Sequence, residues 1–309
     1  MTHLFIINPA AGNRNRTADY TQKIEAAFAD RSDPYRIEIS AAPGDCTRIA
    51  KEAAQSGEEY RIYACGGDGT LNEVVQGAAG YSNVAITVFS GGSGNDFVKL
   101  FDDPTAFFSI DRLLDAEITT FDLINCNGDY SINICSVGLD ARIGVDIPNY
   151  KRIPLLGGNR AYIASTVVNI FRGIAEHYVV QINGETIDGE KTFVCCCNGR
   201  FYGGGFNPVP EANPADGMMD VLLVDRVKLL QIPGIIGKYK NGRYKEIKNL
   251  VRHEVTDHVK IICDKETPFQ IDGELRRAKE IDLRIASEKI NVFYPKGLVW
   301  NHAEPVHTI

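Results

Sequence analysis

Residues 60–75 read YRIYACGGDGTLNEVV, an apolar run followed by a glycine-rich loop and the beginning of a helix-like segment. The run YRIYAC predicts a buried strand over 60–65, and the pattern after the loop predicts a helix over 70–78. Glycines let a backbone approach a phosphate without Cβ clashes, and the N-terminus of a following helix adds partial positive charge. Asp68 suits Mg²⁺ held between loop and nucleotide better than a direct phosphate contact. The stretch therefore predicts a nucleotide site beyond the end of a strand.

The same alternation of strand-like and helix-like segments fills residues 1–125. It predicts an α/β nucleotide-binding domain over 1–125 with a mostly parallel sheet, in which ligands bind beyond the carboxyl ends of the strands. The other predicted strands are HLFII (3–7), RIEIS (36–40), VAITVF (84–89) and 118–124. The other predicted helices cover 18–29, 44–55 and 105–114.

Two further loops of small residues follow predicted strands. The first is NPAAG (8–12), with Arg14 and Arg16 directly after it, and the other is GGSGNDF (91–97), which contains Ser93 and Asp96. Taken alone, the first is better explained as a plain β–α turn, and the second as a helix cap. No Walker A pattern occurs, and Asn72 stands where the dinucleotide fingerprint needs its third glycine.

The chain changes character near residue 125. Short β-like runs separated by turn residues follow, interrupted by a predicted helix over 160–175 and a basic stretch near 235–250. This pattern predicts a second, β-rich domain over 126–291, built as an antiparallel sandwich or barrel. The segment 292–309 is a candidate to pack back on the first domain.

Composition excludes several classes of protein. The 309 residues are 44% hydrophobic and 24% charged, which is typical of a globular chain. A net charge of −7 argues against dedicated nucleic-acid binding, and we expect no transmembrane span and no signal peptide. Neighbouring residues on a strand point to opposite faces, so Cys195, Cys196 and Cys197 could not easily share one zinc ion. Buried thiols in a reducing compartment are the better interpretation.

The three loops together with motifs of the second half resemble the diacylglycerol kinase catalytic-domain superfamily, and more closely the bacterial soluble lipid kinases of the diacylglycerol kinase/YegS-like group. The later motifs are SINICSVGLDA (131–141), NGRFYGGGFNPVPEANPADGMMDV (198–221) and QIDGE (270–274). GGDGT alone is shared with NAD kinases, whereas the later motifs separate this chain from them. The resemblance covers almost the whole chain and implies an active site in the cleft between the domains.

The resemblance implies that ATP donates its γ-phosphate to a lipid hydroxyl. Glu274 matches the proposed general base, and Asp68 and Asp272, with Asp96 and Asp122, would organise catalytic Mg²⁺. Read without the family, the DGE sequence is a hairpin turn. Ser40 and Ser93 stand where the family often has threonine. The nucleotide-binding residues transferred by motif are Asn8, Pro9, Ala10, Ala11, Gly12, Ser40, Gly66, Gly67, Asp68, Gly69, Thr70, Leu71, Asn72 and Ser93.

A second Mg²⁺ site is also implied by the resemblance. Its ligands would be the Asp216 side chain with the carbonyl groups of Asn213 and Met218, an oxygen-only set that suits Mg²⁺. Read from the residues alone, the same stretch is a turn before a strand.

A basic stretch lies between residues 228 and 252, with seven basic residues and one acidic residue. It predicts either a solvated helix face or peripheral contact with an anionic membrane, and a lipid substrate favours the contact. The basic residues proposed for that contact are Lys238, Lys240, Arg243 and Lys245.

The sequence thus predicts an ATP- and Mg²⁺-dependent lipid kinase, with diacylglycerol as first candidate acceptor. It would work in the cytoplasm and transiently at the inner face of the membrane, and the family also implies a homodimer as one assembly. Two alternatives stay open: an NAD kinase-like enzyme acting on a soluble hydroxyl, and a catalytically silent nucleotide- or lipid-binding protein.

Overall fold

The computed structural model describes residues 1–12, 14–92, 94–144 and 173–300. Its N-terminal part is built on a six-stranded sheet, as the alternating pattern predicted. Strand order is β2-β1-β3-β4-β15-β5, and every pairing is parallel except that of β15 with β5. The strands are β1 (Thr2–Ile7), β2 (Tyr35–Ile39), β3 (Tyr60–Gly66), β4 (Val84–Ser90), β5 (Ala116–Phe121) and β15 (Ile290–Pro295).

Helices cover this sheet. Helices α2 and α3 approach closely at Gly77, where a Cβ would lie 2.3 Å from the carbonyl oxygen of Thr47, so only glycine fits there. Because β1, β3 and β4 are adjacent and parallel, the loops after them meet at one edge of the sheet. The helices are α1 (Thr17–Phe28), α2 (Asp45–Gln55), α3 (Asp68–Ala78) and α4 (Ile110–Leu114).

Two predicted elements of this domain differ from the structure. The helix predicted over 105–114 is interrupted at Ser109, whose side chain caps α4, and a short 3₁₀ helix, Pro104–Phe108, precedes it. The strand predicted over 118–124 is also broken. Its first part is β5, and its end belongs to β6 (Ile124–Cys126) of the other sheet, so the chain changes sheets around the buried Asp122.

The second sheet has nine strands, all paired antiparallel. Strands β8 and β9 both pair with β10 and with β13, so these four strands close on themselves. This agrees with the predicted β-rich architecture. The remaining strands are β7 (Asp129–Ser131), β8 (Ile134–Gly138), β9 (Glu176–Ile182), β10 (Glu185–Cys197), β11 (Met219–Asp225), β12 (Val251–Thr256), β13 (His258–Ile271) and β14 (Glu274–Ile285).

Both faces of β10 are buried near its C-terminal end. Cys196 belongs to the core between the strands, whereas Cys195 and Cys197 belong to a separate apolar cluster under helix α5 (Ile232–Lys240). All eight cysteines are unpaired and buried. Burial raises the pKa of the Cys196 and Cys197 thiols well above its usual range, which keeps them protonated.

The predicted returning segment is only partly described. Residues 292–295 belong to β15, between β4 and β5 of the first sheet, and residues 301–309 lie outside the described residues. Most of the helix predicted over 160–175 also lies outside them.

Candidate active site

A cavity of about 650 Å³ lies where the two domains meet. One part is lined by the glycine-rich loops and the DGE turn, and the other by apolar side chains of the C-terminal domain. Ten of the residues predicted for nucleotide binding or catalysis line it. They are Asn8, Ala11, Gly12, Gly67, Asp68, Gly69, Thr70, Asp96, Asp272 and Glu274.

The other predicted residues lie behind or beside this cavity. Ser40, Leu71 and Asn72 are buried, and Gly66 ends β3. Pro9 and Ala10 belong to the first loop without lining the cavity, and Ser93 lies outside the described residues. The predicted second metal-site residues, Asn213, Asp216 and Met218, also lie away from it.

The loops after β1, β3 and β4 are held together by side-chain and backbone contacts. Asn8 donates from Nδ2 to Thr70 Oγ1 at 3.2 Å and accepts the amide hydrogen of Ala10 at Oδ1. The backbones of Gly67 and Gly92 are in close contact. A Cβ on Gly92 would lie only 2.6 Å from the Cα of Gly67. The glycines at these two positions therefore permit contact between the loops.

Helix α3 begins at the cavity without a side-chain cap. Gly67 occupies the N-cap position, and no side chain of the described residues accepts a hydrogen bond from the first turn. Uncapped amides at a helix N-terminus bind anionic groups such as phosphate. The electrostatics of this helix end therefore suit the predicted phosphate site.

Asp68, the first residue of α3, holds the neighbouring loop. Its Oδ1 accepts the amide hydrogens of Asp96 at 2.7 Å and Phe97 at 3.2 Å. Burial raises the pKa of Asp68, and the negative charge of Asp96 raises it further. The second carboxylate oxygen accepts no hydrogen bond within the described residues. A cation beside this oxygen would offset the local negative charge, so the carboxylate fits a Mg²⁺ ligand.

Asp96 connects the two domains. Its Oδ1 pairs with Lys99 Nζ at 2.6 Å, and its Oδ2 accepts the amide hydrogen of Gly204 at 2.7 Å. Gly204 belongs to the GGGF motif of the C-terminal domain. Asp96 therefore fixes the position of that motif against the glycine-rich loops. Sequence reasoning missed Lys99, because its pairing with Asp96 resembles any surface i,i+3 pair.

Glu274, at the beginning of β14, faces helix α3 across the cavity. A Cβ on Gly69 would lie 3.3 Å from Glu274 Oε1, so the carboxylate lies over the glycine-rich loop. It is exposed and accepts no hydrogen bond from the residues that the structure describes. An unpartnered carboxylate at this place is free to accept the proton of a bound hydroxyl group.

Asp272 fixes the turn that presents Glu274. It has a positive φ of 50°, and its carboxylate accepts hydrogen bonds from Ser131 Oγ, Asn72 Nδ2 and the amides of residues 132–134. Burial raises the pKa of Asp272, and these hydrogen bonds act in the opposite direction. The contacts bridge α3 and the β-domain, which fits a positioning role for Asp272.

The apolar part of the cavity extends away from Glu274 into the C-terminal domain. Side chains from β10, β11, α5 and β12 enclose it, so it suits an apolar molecule. The apolar lining includes Phe193, Val224, Ile232, Ile235, Ile236, Tyr239, Ile247 and Val251.

A half-buried carboxylate that sequence reasoning did not assign also lines the cavity. Asp140 accepts hydrogen bonds from Ser136 Oγ and from Tyr202 OH, and Tyr202 OH also contacts Tyr239 OH at 3.0 Å. Burial raises the pKa of Asp140. The SVGLDA stretch was a signal for this residue, but nothing in its local spacing indicated the tyrosine partners.

The predicted second metal site forms an acidic loop near Asp122. Burial raises the pKa of Asp216, and the charges of Asp220 and Asp122 add to the effect. One Asp216 oxygen accepts the Met218 amide hydrogen, and the other accepts none within the described part of the chain. The oxygen donors and the excess negative charge fit Mg²⁺. Within the described residues, no three metal-ligating side chains cluster.

Both carboxylate oxygens of Asp122 have partners within this chain. Its Oδ1 pairs with Lys289 Nζ at 2.6 Å, and its Oδ2 accepts the Gly217 amide hydrogen at 2.8 Å. Asp122 does not line the cavity, so it lies away from the glycine-rich loops where it was expected to help organise Mg²⁺.

Much of the basic stretch is paired with acids. Lys238 and Arg243 both approach Glu246, and Lys245 pairs with Glu211 at 2.6 Å. Lys240 instead lies over the ring of Phe206. None of the helices among the described residues is long and apolar enough to cross a bilayer.

Two family models match the chain. Residues 2–126 match the diacylglycerol kinase catalytic domain, and residues 133–294 match the YegS C-terminal NAD kinase beta sandwich-like domain. These matches confirm the resemblance indicated by the motifs and the two-part fold.

Curated relatives and solved structures agree with the family models. A "Putative lipid kinase" of Staphylococcus carnosus (strain TM300) is 26% identical over 297 residues, covering 94% of this chain and 96% of the relative. A relative described in the same words from Staphylococcus aureus (strain MRSA252) is 25% identical over 263 residues, covering 83% and 85%. The crystal structure of a "putative diacylglycerol kinase" from Bacillus anthracis str. Sterne superposes with a TM-score of 0.72 at 21% identity, covering 96% and 98%, which shows the shared fold.

Proposed function

We propose that this chain, which belongs to the diacylglycerol kinase catalytic-domain family with a YegS-type C-terminal domain, transfers the γ-phosphoryl group of Mg-ATP to a lipid hydroxyl, with diacylglycerol as the first candidate acceptor. One observation carries the proposal. A single cavity joins the N-terminus of α3 to an apolar chamber, and the Glu274 carboxylate, which accepts no hydrogen bond from the described residues, lies over Gly69 at that helix end.

The residues of the glycine-rich loops would bind and orient the phosphates. Amides at the start of α3 face the cavity, and Gly67 and Gly92 leave room for a close backbone approach. Asp68 would hold Mg²⁺ through its unpartnered oxygen, and the ion when bound neutralises charge on the transferring phosphoryl group. Asp272 would act by fixing the turn that carries Glu274.

Glu274 would accept the proton of the lipid hydroxyl as that oxygen forms its bond to the γ-phosphorus. The bond from the γ-phosphorus to the β–γ bridging oxygen breaks at the same centre, and ADP leaves with the electron pair. The apolar chamber would bind the hydrocarbon part of the acceptor and exclude water from the hydroxyl. Positioning and proton acceptance together account for the chemistry that these residues supply.

The test is transfer of labelled γ-phosphate from Mg-ATP into mixed micelles that contain diacylglycerol, compared with micelles of other lipid alcohols and with NAD. Label in phosphatidic acid is the expected result. Label in another lipid would keep the mechanism and replace the acceptor. Label in NADP, or ATP binding without transfer to any acceptor, would contradict the proposal.

A further inference from the structure

Two adjacent leucines are exposed beside the apolar chamber. Leu230 is 94% exposed and Leu229 is 50% exposed, in a short 3₁₀ helix, Leu229–Gln231, that leads directly into α5. No other large apolar side chain of the described residues exceeds 54%. A single exposed leucine is ordinary, but this pair adjoins the site already described. Leu229 and Leu230 are called the leucine tip below.

Helix α5 connects the leucine tip to the chamber. Ile232, Ile235 and Tyr239 of α5 line the chamber, and Ile236 both lines it and is 40% exposed. The chamber wall therefore reaches solvent along the helix that the leucine tip precedes. A surface that met the leucine tip would also meet this side of the chamber.

Basic residues share the segment 228–248 with the leucine tip. Lys228, Lys240 and Lys248 are exposed and form no ion pair within the described residues, although the Lys240 ammonium lies over the ring of Phe206, whereas Glu246, the acidic residue of the stretch, is already paired. Unpaired lysines around apolar side chains are complementary to an anionic bilayer, which attracts cations and receives apolar groups at its interface.

We propose that the leucine tip inserts into the surface of an anionic lipid bilayer, with Lys228, Lys240 and Lys248 against the headgroups. This orientation turns the exposed side of α5, and with it the chamber, toward the membrane. The proposal rests on the proposed function for its meaning, because only an enzyme with a lipid acceptor needs this orientation. It keeps Lys240 from the sequence prediction and replaces Lys238, Arg243 and Lys245, which are paired with acids, by the leucine tip with Lys228 and Lys248.

The experiment is co-sedimentation of the full chain with vesicles of phosphatidylcholine, with or without phosphatidylglycerol. Leu229→Ser and Leu230→Ser should each lower partitioning by about tenfold, since each removes one leucine side chain that the wild type would bury in the bilayer. Changing Lys228, Lys240 and Lys248 to glutamine should lower it about fivefold for each lysine, and only for vesicles with phosphatidylglycerol. Added salt should weaken wild-type binding and leave the lysine variant nearly unchanged.

Matched controls come from the other domain. Ile118→Ser changes a side chain that is 54% exposed on the edge strand β5, and Lys51→Gln changes an exposed lysine of α2. Both should bind vesicles as the wild type does. The proposal is overturned if the leucine variants partition like the wild type, or if Ile118→Ser loses binding to the same degree.

A second measurement separates this proposal from the proposed function. The Leu229→Ser/Leu230→Ser variant should phosphorylate a short-chain diacylglycerol dissolved as monomers at the wild-type rate, because neither leucine lines the cavity. If the wild type binds vesicles through the leucine tip but phosphorylates no acceptor, the proposed kinase function is wrong and the membrane site stands. A rate that falls with the monomeric acceptor would show that the leucines act on the cavity and would overturn the membrane assignment.

Discussion

The carboxylate of Glu274 lies over Gly69, with Oε1 3.3 Å from the place where a side chain at Gly69 would begin. Gly69 belongs to helix α3 of the first domain and Glu274 to strand β14 of the second sheet, so their contact depends on how the domains are held. Asp272 supplies one connection through Asn72, and Asp96 supplies another through Gly204. The position of the proposed base is therefore a property of the domain junction.

Replacing Glu274 by glutamine should lower kcat by about a hundredfold or more, because general base catalysis typically contributes factors of 10²–10⁴. The Kd for ATP should change little, since the side chain makes no hydrogen bond within the described residues. Initial rates with saturating Mg-ATP and nucleotide titration give the two quantities. Unchanged turnover would show that Glu274 is not the general base and that the DGE sequence serves only as a structural turn.

Asp68→Asn tests the proposed metal ligand more sharply than Asp68→Ala. The asparagine oxygen can still accept the amide hydrogens of Asp96 and Phe97, so the loop should keep its place while the charge is lost. We expect phosphoryl transfer to fall by about a thousandfold, since interactions with charge on the transferring phosphoryl group dominate such reactions. The dependence of the rate on Mg²⁺ concentration should shift to higher concentration.

The control for this variant is Asp68→Ala, which also removes the hydrogen bonds to the neighbouring loop. It should lower the thermal midpoint, whereas Asp68→Asn should leave the midpoint unchanged or raise it, because burial and Asp96 disfavour the charged form. An asparagine variant with full activity would exclude Asp68 from the metal site.

Gly92→Ala should weaken ATP binding by about tenfold or more. Its Cβ would lie 2.6 Å from the Cα of Gly67, and backbone cannot yield as a flexible side chain can, so the two loops must separate at a cost of about 1–3 kcal/mol. Gly234→Ala, in α5, meets nothing within 4 Å and serves as the matched control. Isothermal titration with ATP separates the two, and equal affinities would show that the contact between the loops does not matter.

Local pattern was sufficient to predict that the glycine-rich loops lie together. Alternating apolar strands with helices predicted parallel strands, and parallel strands place the loops after β1, β3 and β4 at one sheet edge. That is why Asn8, Gly67 and Asp68 could be grouped from the sequence alone. The site residues of the C-terminal domain could be predicted only from the family resemblance, since a turn such as Asp272-Gly273-Glu274 has many structural uses.

Contacts between distant residues were not available from spacing. Nothing local indicates that Tyr202 and Tyr239 meet at Asp140, or that Lys245 pairs with Glu211 rather than facing a membrane. The break after Phe121 was also missed, because the apolar run continues through it while the chain changes sheets. Such features depend on tertiary packing, which overrides local propensity.

Lys289→Met should destabilise the fold by about 1–3 kcal/mol, because it leaves a buried carboxylate without its charged partner, whose own side chain is 55% exposed. The uncompensated group is Asp122, which is 1% exposed and is paired with Lys289 Nζ at 2.6 Å. Urea unfolding gives the change in the free energy of unfolding. Lys51→Met is the matched control, since Lys51 is exposed and makes no ion pair within the described residues.

A double variant decides whether this cost arises from the buried charge. Asp122→Asn removes the charge while its side-chain oxygen can still accept the Gly217 amide hydrogen. In that background Lys289→Met should cost about as little as Lys51→Met, since no charge is left without a partner, and the difference between the two backgrounds measures the coupling of the pair. Equal costs in both backgrounds would instead assign the effect to packing of the lysine side chain. The ion pair would then contribute nothing to the junction where the chain passes from one sheet to the other.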